Sequence, residues 1–294
     1  MRLALVFDKL RDDTVGIYFE RACRQLGIAY EHFWTRDAKA IPPGYALYLR
    51  IDHGDYQHDL PDRARPRIFY ACDTHLLSSW RRIRRLAKRY DLVCYAHRSG
   101  ADQLPNGVWI PFACDPQLHE KQPLLKRWDL AFVGTEGGVP RKFYLQALRE
   151  RHPNSFIGHA PHTDLGAIYS QGRIGFNYSI RDEINMRVFE ILSSGTMLLT
   201  NDLPRADLDQ LGLQEGVHLR IYRNPTHLFN LIDDYLANDQ EREAIALRGM
   251  RQVHQHHAYR HRLSQILGLA ASRLGVRVPS LKLSSHEVST CVSS

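Results

Sequence analysis

The sequence predicts an α/β protein of two consecutive doubly wound domains, each built on a parallel sheet, facing each other across a central cleft. Three observations carry this. Apolar runs of strand length alternate with amphipathic segments of helix length along most of the chain. The alternation is broken once, by the loop DPQLHEKQPLLKR (115–127) with its two prolines, and then restarts. The stretch Asp182–Thr200, DEINMRVFEILSSGTMLLT, holds a polar loop, an amphipathic helix, a glycine stop and a buried strand in nineteen residues.

Taken in order, LALVF (3–7) reads as a buried strand, followed by a polar loop and a helix over about 16–26 that Gly27 ends. YEHFW (30–34) and YALYLRI (45–51) are strands separated by the Pro42-Pro43-Gly44 turn. RIFYACD (67–73), a helix from about 77 to 90, DLVCYA (91–96) and VWIPFA (108–113) complete the first half. After the loop come DLAFVG (129–134), a helix over about 139–151, SFIG (155–158), a short helix near 164–171 and RIGFNYS (173–179). The helix of Asp182–Thr200, then MLLTN (197–201) and HLRIY (218–222), continue the rhythm, and helices over 225–237, 240–254 and about 258–274 close it. The expected division is 1–120, 121–275, and a serine-rich tail 276–294 whose composition predicts disorder. Two doubly wound domains place a ligand in the cleft between their strand C-termini.

The 294 residues, 44% hydrophobic and 24% charged, fit a soluble globular chain with room for two cores. A net charge of +7 is compatible with an anionic ligand, an acidic surface or a basic solvated exterior. The opening RLALVFD is too short an apolar run for a signal peptide, and no stretch approaches the roughly 20 apolar residues of a membrane span, so the cytoplasm is the expected location. Five scattered cysteines (Cys23, Cys72, Cys94, Cys114, Cys291) lack C-x-x-C spacing, and four sit in or beside predicted elements as small buried hydrophobes.

The helix beginning near Asn185 aims free backbone N–H groups and a partial positive charge at the crevice, which suits a phosphate. Glu190 lies early enough in it to accept hydrogen bonds from a ligand's hydroxyls; a carboxylate that only stabilises the helix is the alternative. Together these read as half of a sugar-nucleotide site.

WIPFACDP (109–116), DLAFVGTEGGVPRKFYLQAL (129–148), IYSQGRIGFNYSIRDEINMRVFEILSSGTMLLTND (168–202), EGVHLRIYRNPTHLFNLIDDYL (215–236) and HHAYRHRLSQIL (256–267) resemble the CgeB-like glycosyltransferases, and through them the retaining family-4 group of GT-B architecture. YACDTHLLSSW (70–80) resembles the same family's Asp-Thr-His segment, so the similarity covers most of 65–270. The resemblance implies two Rossmann-like domains and transfer of a sugar from a nucleotide diphosphate sugar to an acceptor hydroxyl. It implies retention, no cofactor and no metal, with basic side chains and a helix N-terminus stabilising the leaving diphosphate. In that group an acidic residue precedes a glutamate by eight positions. Here Asp182 and Glu190 keep the spacing, with aspartate replacing the first glutamate and without the usual glycine-rich stretch between them. Glu190 takes the ribose-binding role.

Other donor-binding candidates are Gly134 and Thr135 after the second domain's first strand, Arg141 on the next helix, and Asn185, Met186 and Arg187 at the central helix start. A guanidinium clamps a diphosphate bidentately, and phosphate approach needs a small residue. For Arg141 and its neighbour Lys142 an exposed helix start is the alternative, and for Asn185 and Arg187 a solvated first turn. On the acceptor side, Asp73 and His75 follow a strand, as acceptor and leaving-group contacts or as a helix N-cap. Asp13, in the loop after the first strand, is a base if the enzyme inverts, or a turn residue.

WRRIRRLAKRY (80–90) places Trp80, Ile83, Leu86, Ala87 and Tyr90 on one helical face and six cations on the rest. It is either an ordinary helix with a solvated basic face or a peripheral contact with anionic membrane; nucleic acid is not expected as a partner. His254, His256, His257 and His261 have no neighbouring Cys or carboxylate to complete a metal set. The acceptor (glycan, lipid, protein or small molecule) is open. A non-catalytic nucleotide-sugar-binding module of a cell-surface or spore assembly, and a phosphorylase- or epimerase-like enzyme, are the competing readings.

Overall fold

Six strands from the first half pair in parallel in the order β2-β1-β3-β4-β5-β6: β1 (Arg2–Val6), β2 (Ala29–Phe33), β3 (Leu47–Ile51), β4 (Arg67–Ala71), β5 (Leu92–Tyr95) and β6 (Gly107–Trp109). The computed structural model describes residues 1–98, 104, 106–181 and 183–279. The readings of Asp182, Cys291 and the tail beyond 279 lie outside them. Helix α1 (Val15–Gln25) joins β1 to β2, and α2 (Leu77–Ala87) joins β4 to β5. Strands covered on both faces read as continuous apolar runs, and β3, β4 and β5 are buried at every position.

The second sheet is also parallel, in the order β11-β10-β9-β7-β8. Its strands are β7 (Trp128–Val133), β8 (Phe156–Gly158), β9 (Gly172–Asn177), β10 (Met197–Asn201) and β11 (Arg220–Tyr222). Helices α3 (Arg141–Arg151), α4 (Leu165–Gln171), α5 (Met186–Ser193) and α6 (Arg205–Gln210) connect them. Gly195 ends the α5 turn at φ +64°, a backbone conformation glycine adopts without steric cost. The two doubly wound parallel sheets match the expected fold class.

Both sheets change winding direction at one place. In the first, β2 lies on one side of β1 and β3 on the other; in the second, β8 and β9 flank β7. The crevice at the carboxyl ends of the strands where the order reverses is where such sheets bind ligands. That rule selects the β1/β3 edge and the β7/β9 edge.

The chain closes with α7 (Pro225–Ala237), α8 (Asp239–His256) and α9 (Tyr259–Leu274). By sequence α9 belongs to the span 121–275, but it packs on the first sheet's layer. Tyr259 stacks on Tyr18 of α1 with ring centroids 4.8 Å apart, and Leu263, Ile266 and Leu267 are fully buried. The buried Arg262 guanidinium donates to the carbonyls of Pro111 (2.9 Å) and Phe112 (3.1 Å). The backbone of Cys114 pairs with the chain between α8 and α9, accepting from Tyr259 N–H and donating to His257 O. This explains one departure from expectation. Residues 110–113, read as part of a strand, leave the sheet after Trp109 because they form the crossover on which α9 docks. Helix α6 and the 3₁₀ turn over Thr35–Ala40 are too short for a periodic apolar signal and were not expected.

Cys23, Cys72, Cys94 and Cys114 are free and buried. No helix among the described residues is long and apolar enough to cross a membrane. Ile83, Leu86, Ala87 and Tyr90 are buried and Trp80 half-buried, as the helical-face reading of 80–90 requires.

Candidate active site

At the β7/β9 edge the chain leaves β7 through Gly134, whose φ of +145° lies in a region that side-chain-bearing residues rarely adopt. The space a side chain would fill is occupied by the Arg187 guanidinium. Arg187, in the first turn of α5, donates from Nε to Val133 O (2.9 Å) and from Nη1 to Asn177 Oδ1 (3.0 Å), and lies 4.5 Å over the Phe132 ring. Asn177 ends β9 fully buried; it also accepts from Asn185 Nδ2 (3.2 Å) and donates to Thr200 Oγ1 (3.0 Å). One buried amide thus fixes the start of α5 against two strand ends.

Arg141 completes the cationic side. It is buried, donating from Nε to Glu136 O (3.1 Å) and from Nη2 to Thr135 Oγ1 (3.4 Å), whereas Lys142 points outward. Burial, and then the repulsion of Arg187, lower its pKa, with Glu183 acting in the opposite sense. Neither guanidinium has a carboxylate in an ion pair among the described residues; both are held by neutral acceptors. Two adjacent unneutralised cations around a glycine turn make an electropositive pocket that favours a phosphate.

Asn185 caps α5 by backbone only. Its side chain makes no capping bond, and its Oδ1 is buried without a hydrogen-bond partner. The first-turn N–H groups are therefore left without a side-chain cap, Val188 N–H turning to Asn185 O (3.3 Å). Met186 is half-buried and packs on the core, so its contribution to the crevice is main-chain. Glu190, one turn on, is partly open to the cleft, and no described residue hydrogen-bonds its carboxylate. Burial pushes its pKa up to about 7; Arg187 opposes the shift, and Asp13, facing it from the first domain, adds to it. Just before α5, the buried Glu183 carboxylate accepts from the N–H groups of Ile180 and Arg181, and its main chain is bonded both ways to Ser179 Oγ.

Across the cleft, His75 and Asp73 follow β4. His75 stacks edge-on against the buried His97 with centroids 4.3 Å apart, and its Nδ1 is buried without a partner. Burial lowers its pKa, with Glu183 and Arg181 of the second domain acting in opposite directions, so the ring faces the loop before α5. Asp73 is pushed up to about 6 by burial and then by the charge of Asp52, with Arg11 opposing. Asp52 is buried just beyond β3 and accepts from Tyr56 Oη (3.1 Å), Gly54 N (3.1 Å) and Cys72 N (3.2 Å). Asp13 is exposed and ion-paired with Arg11 at 3.0 Å. The geometry thus gathers Gly134, Thr135, Arg141, Asn185, Arg187 and Glu190 at one strand edge, with Asp73, His75 and Asp13 opposite. Sequence reasoning missed Asn177 and Asp52. Their signal was present, a polar side chain closing an apolar run, but its meaning depends on which strands are neighbours.

Residues 118–268, just over half of the chain, match the family described as glycosyl transferase-like. No curated protein matches the sequence. Among solved structures, Anabaena Alr3699/HepE in complex with UDP and glucose superposes with a TM-score of 0.63 at 14% identity, covering 92% of this chain and 99% of that one. T4 phage BGT in complex with UDP-glucose gives 0.59 at 12% identity, covering 95% and 100%. The sucrose-phosphate synthase of Thermosynechococcus elongatus gives 0.60 at 11%, covering 94% and 100%. At such identities the likeness is one of fold, the two-domain GT-B arrangement. By the match over residues 118–268, the chain is a glycosyltransferase and belongs to the glycosyl transferase-like family.

Proposed function

We propose that the protein transfers a sugar from a nucleoside diphosphate sugar to an acceptor hydroxyl, with the second domain holding the donor and the first the acceptor. The observation that carries this is the pair Arg141 and Arg187, without a carboxylate partner among the described residues, converging on the Gly134 turn beside Glu190. The guanidiniums and the α5 N-terminus take the diphosphate, and Glu190 takes the ribose hydroxyls. As the sugar–phosphate bond breaks, charge grows on the leaving diphosphate, and fixed donors already in place stabilise it without reorganisation. No metal at the diphosphate is invoked. Asp73 accepts the hydrogen bond of the incoming hydroxyl, and His75 contacts the sugar or the leaving oxygen. Retention, and a CgeB-like place within the family, belong to the same proposal by resemblance; Asp13 is a base only on an inverting course.

UDP-glucose is the donor to test first, since two of the similar folds are described with it. We also place the protein in the cytoplasm with the basic face of α2 against anionic membrane. Arg81, Arg82, Arg84, Arg85 and Lys88 are exposed, and Leu77 beside them is 71% exposed. The test is a panel of UDP-, GDP- and dTDP-sugars, read by thermal stabilisation and nucleoside diphosphate release. Arg187→Lys should weaken the best donor at least about tenfold, because an ammonium cannot reproduce the guanidinium fork. Equal donor affinity in the variant, or no stabilisation by any donor, would overturn the assignment.

A further inference from the structure

We propose a divalent-cation site in the first domain, formed by Asp8, His53 and Asp55 with the Thr35 hydroxyl beside them. The site lies at the β1/β3 edge, where the first sheet reverses its winding: Asp8 is two residues beyond β1, and His53 and Asp55 follow β3. It is separate from the diphosphate pocket and takes no part in the chemistry assigned there.

One ligand atom from each of the three side chains falls within 4.8 Å of the others. His53 Nε2 is 3.0 Å from Asp8 Oδ2. Adjacent ligands around a six-coordinate ion with bonds of about 2.1 Å are separated by about 3.0 Å, so that pair already has the spacing of a coordination edge.

The histidine is the decisive residue. Its side chain is only 6% exposed, and its Nδ1 is 3.3 Å from the carbonyl of Ile51. A neutral imidazole that donates from Nδ1 to a main-chain carbonyl carries its lone pair on Nε2, the arrangement that orients metal-bound histidines. Here Nε2 is buried and lies 3.0 Å from Asp8 Oδ2 without the alignment of a hydrogen bond. A lone pair against an anion is repulsive unless a cation lies between them.

The charge around the cluster points the same way. Thr35 Oγ1 is 2.8 and 2.9 Å from the two Asp8 oxygens and 2.7 Å from Asp55 Oδ2. It has one proton for three carboxylate contacts. No lysine or arginine side chain pairs with Asp8 or Asp55 among the described residues; Lys9, next in sequence, is 2.8 Å from Glu20 instead. Among the described residues, only His58 besides His53 offers either carboxylate an ionisable partner, its Nδ1 2.8 Å from Asp55 Oδ2. The loop is fixed from below by the buried Arg50 guanidinium, which donates to Asp55 O (2.6 Å) and to Asp59 Oδ1 (2.9 Å).

One imidazole with two carboxylates suits Mn²⁺ or Zn²⁺ better than the all-oxygen preference of Mg²⁺ and Ca²⁺. Asp8 and Asp55 are partly open to solvent, which leaves coordination positions for an acceptor's hydroxyl or anionic group. The experiment uses the full chain, stripped of metal by chelation and titrated with MnCl₂ while free Mn²⁺ is followed by electron paramagnetic resonance. The expected result is one Mn²⁺ per chain, with nitrogen modulation from a single imidazole in the bound spectrum. His53→Ala should raise the Kd at least tenfold and abolish that modulation, while His256→Ala, on the exposed end of α8, should change neither. If His53→Ala does not fold, Asp55→Asn serves in its place with the same expected loss of affinity. Absence of saturable binding, or equal binding in wild type and these variants, overturns the site.

Discussion

Glu190→Gln separates a ligand-binding carboxylate from a structural one, because the two roles predict opposite changes in stability. The substitution keeps the side chain's shape and removes its charge. In the folded protein the carboxyl is pushed up to about 7 from its ordinary 4.5, chiefly by burial. A gap of about 2.5 pH units corresponds to roughly 3 kcal/mol. Because the group is partly open to the cleft, about 1–3 kcal/mol is the working range. An acid whose folded pKa is raised binds its proton longer in the native state. Wild-type stability therefore falls as pH rises through the window from about 4.5 to about 7, and is level above it. Glutamine has no such slope. The variant should match wild type near pH 4.5 and be more stable above pH 7 by about 1–3 kcal/mol, measured by urea unfolding from pH 5 to 8. Donor affinity should move the other way. Hydrogen bonds to a charged acceptor contribute about 1.5–3 kcal/mol, so the variant should bind nucleotide sugar about 10- to 100-fold more weakly at pH 8. Wild-type affinity should climb with pH through about 7 as the carboxylate ionises, and the variant's should not. A variant less stable than wild type at pH 8, or one with undiminished donor affinity, would refute the reasoning.

Gly134→Ala places a side chain where φ is +145° and where the Arg187 guanidinium lies. It should cost about 1–3 kcal/mol in urea unfolding and weaken donor binding at least about tenfold; intact donor affinity would remove Arg187 from the pocket. Asp73→Asn should lower kcat by about 10²-fold or more with little change in donor affinity. It should also erase the acid limb expected of wild type near pH 6, since burial pushes the Asp73 carboxyl up to about 6. A wild-type rate would reject its role at the acceptor.

The elements were legible wherever a physical signal is local. Runs such as LALVF and RIGFN are apolar because both faces of a parallel strand are covered, and Gly27 and Gly195 stop helices by a conformation only glycine takes cheaply. What the sequence left dark is non-local. Asn177 matters because β9 lies beside β7, and Asp52 because β3 lies beside β4; neither neighbourhood is written in a short window. Arg141 and Lys142 are adjacent and alike in charge, and only the packing of α3 against the Gly137 turn decides that Arg141 is the buried one. The histidines near 254–261 show the converse. Dense in sequence, they also line one cavity, yet each ring is engaged separately: His257 bonds to Leu211 O and His254 contacts Ser193. His53, unremarked in sequence, meets two carboxylates.

The return of α9 to the first sheet has a consequence for how the chain is made. The last strand of that sheet ends at Trp109, yet the helix that covers Tyr18 and Phe19 does not begin until Tyr259. At typical elongation rates the intervening stretch of about 150 residues takes roughly 8–30 s to emerge from the ribosome. Throughout that interval the aromatic face of α1 is without its cover. The first domain to be synthesised is therefore the last to be finished, and the nascent chain must carry an open apolar face past the whole of the second domain before either half is complete.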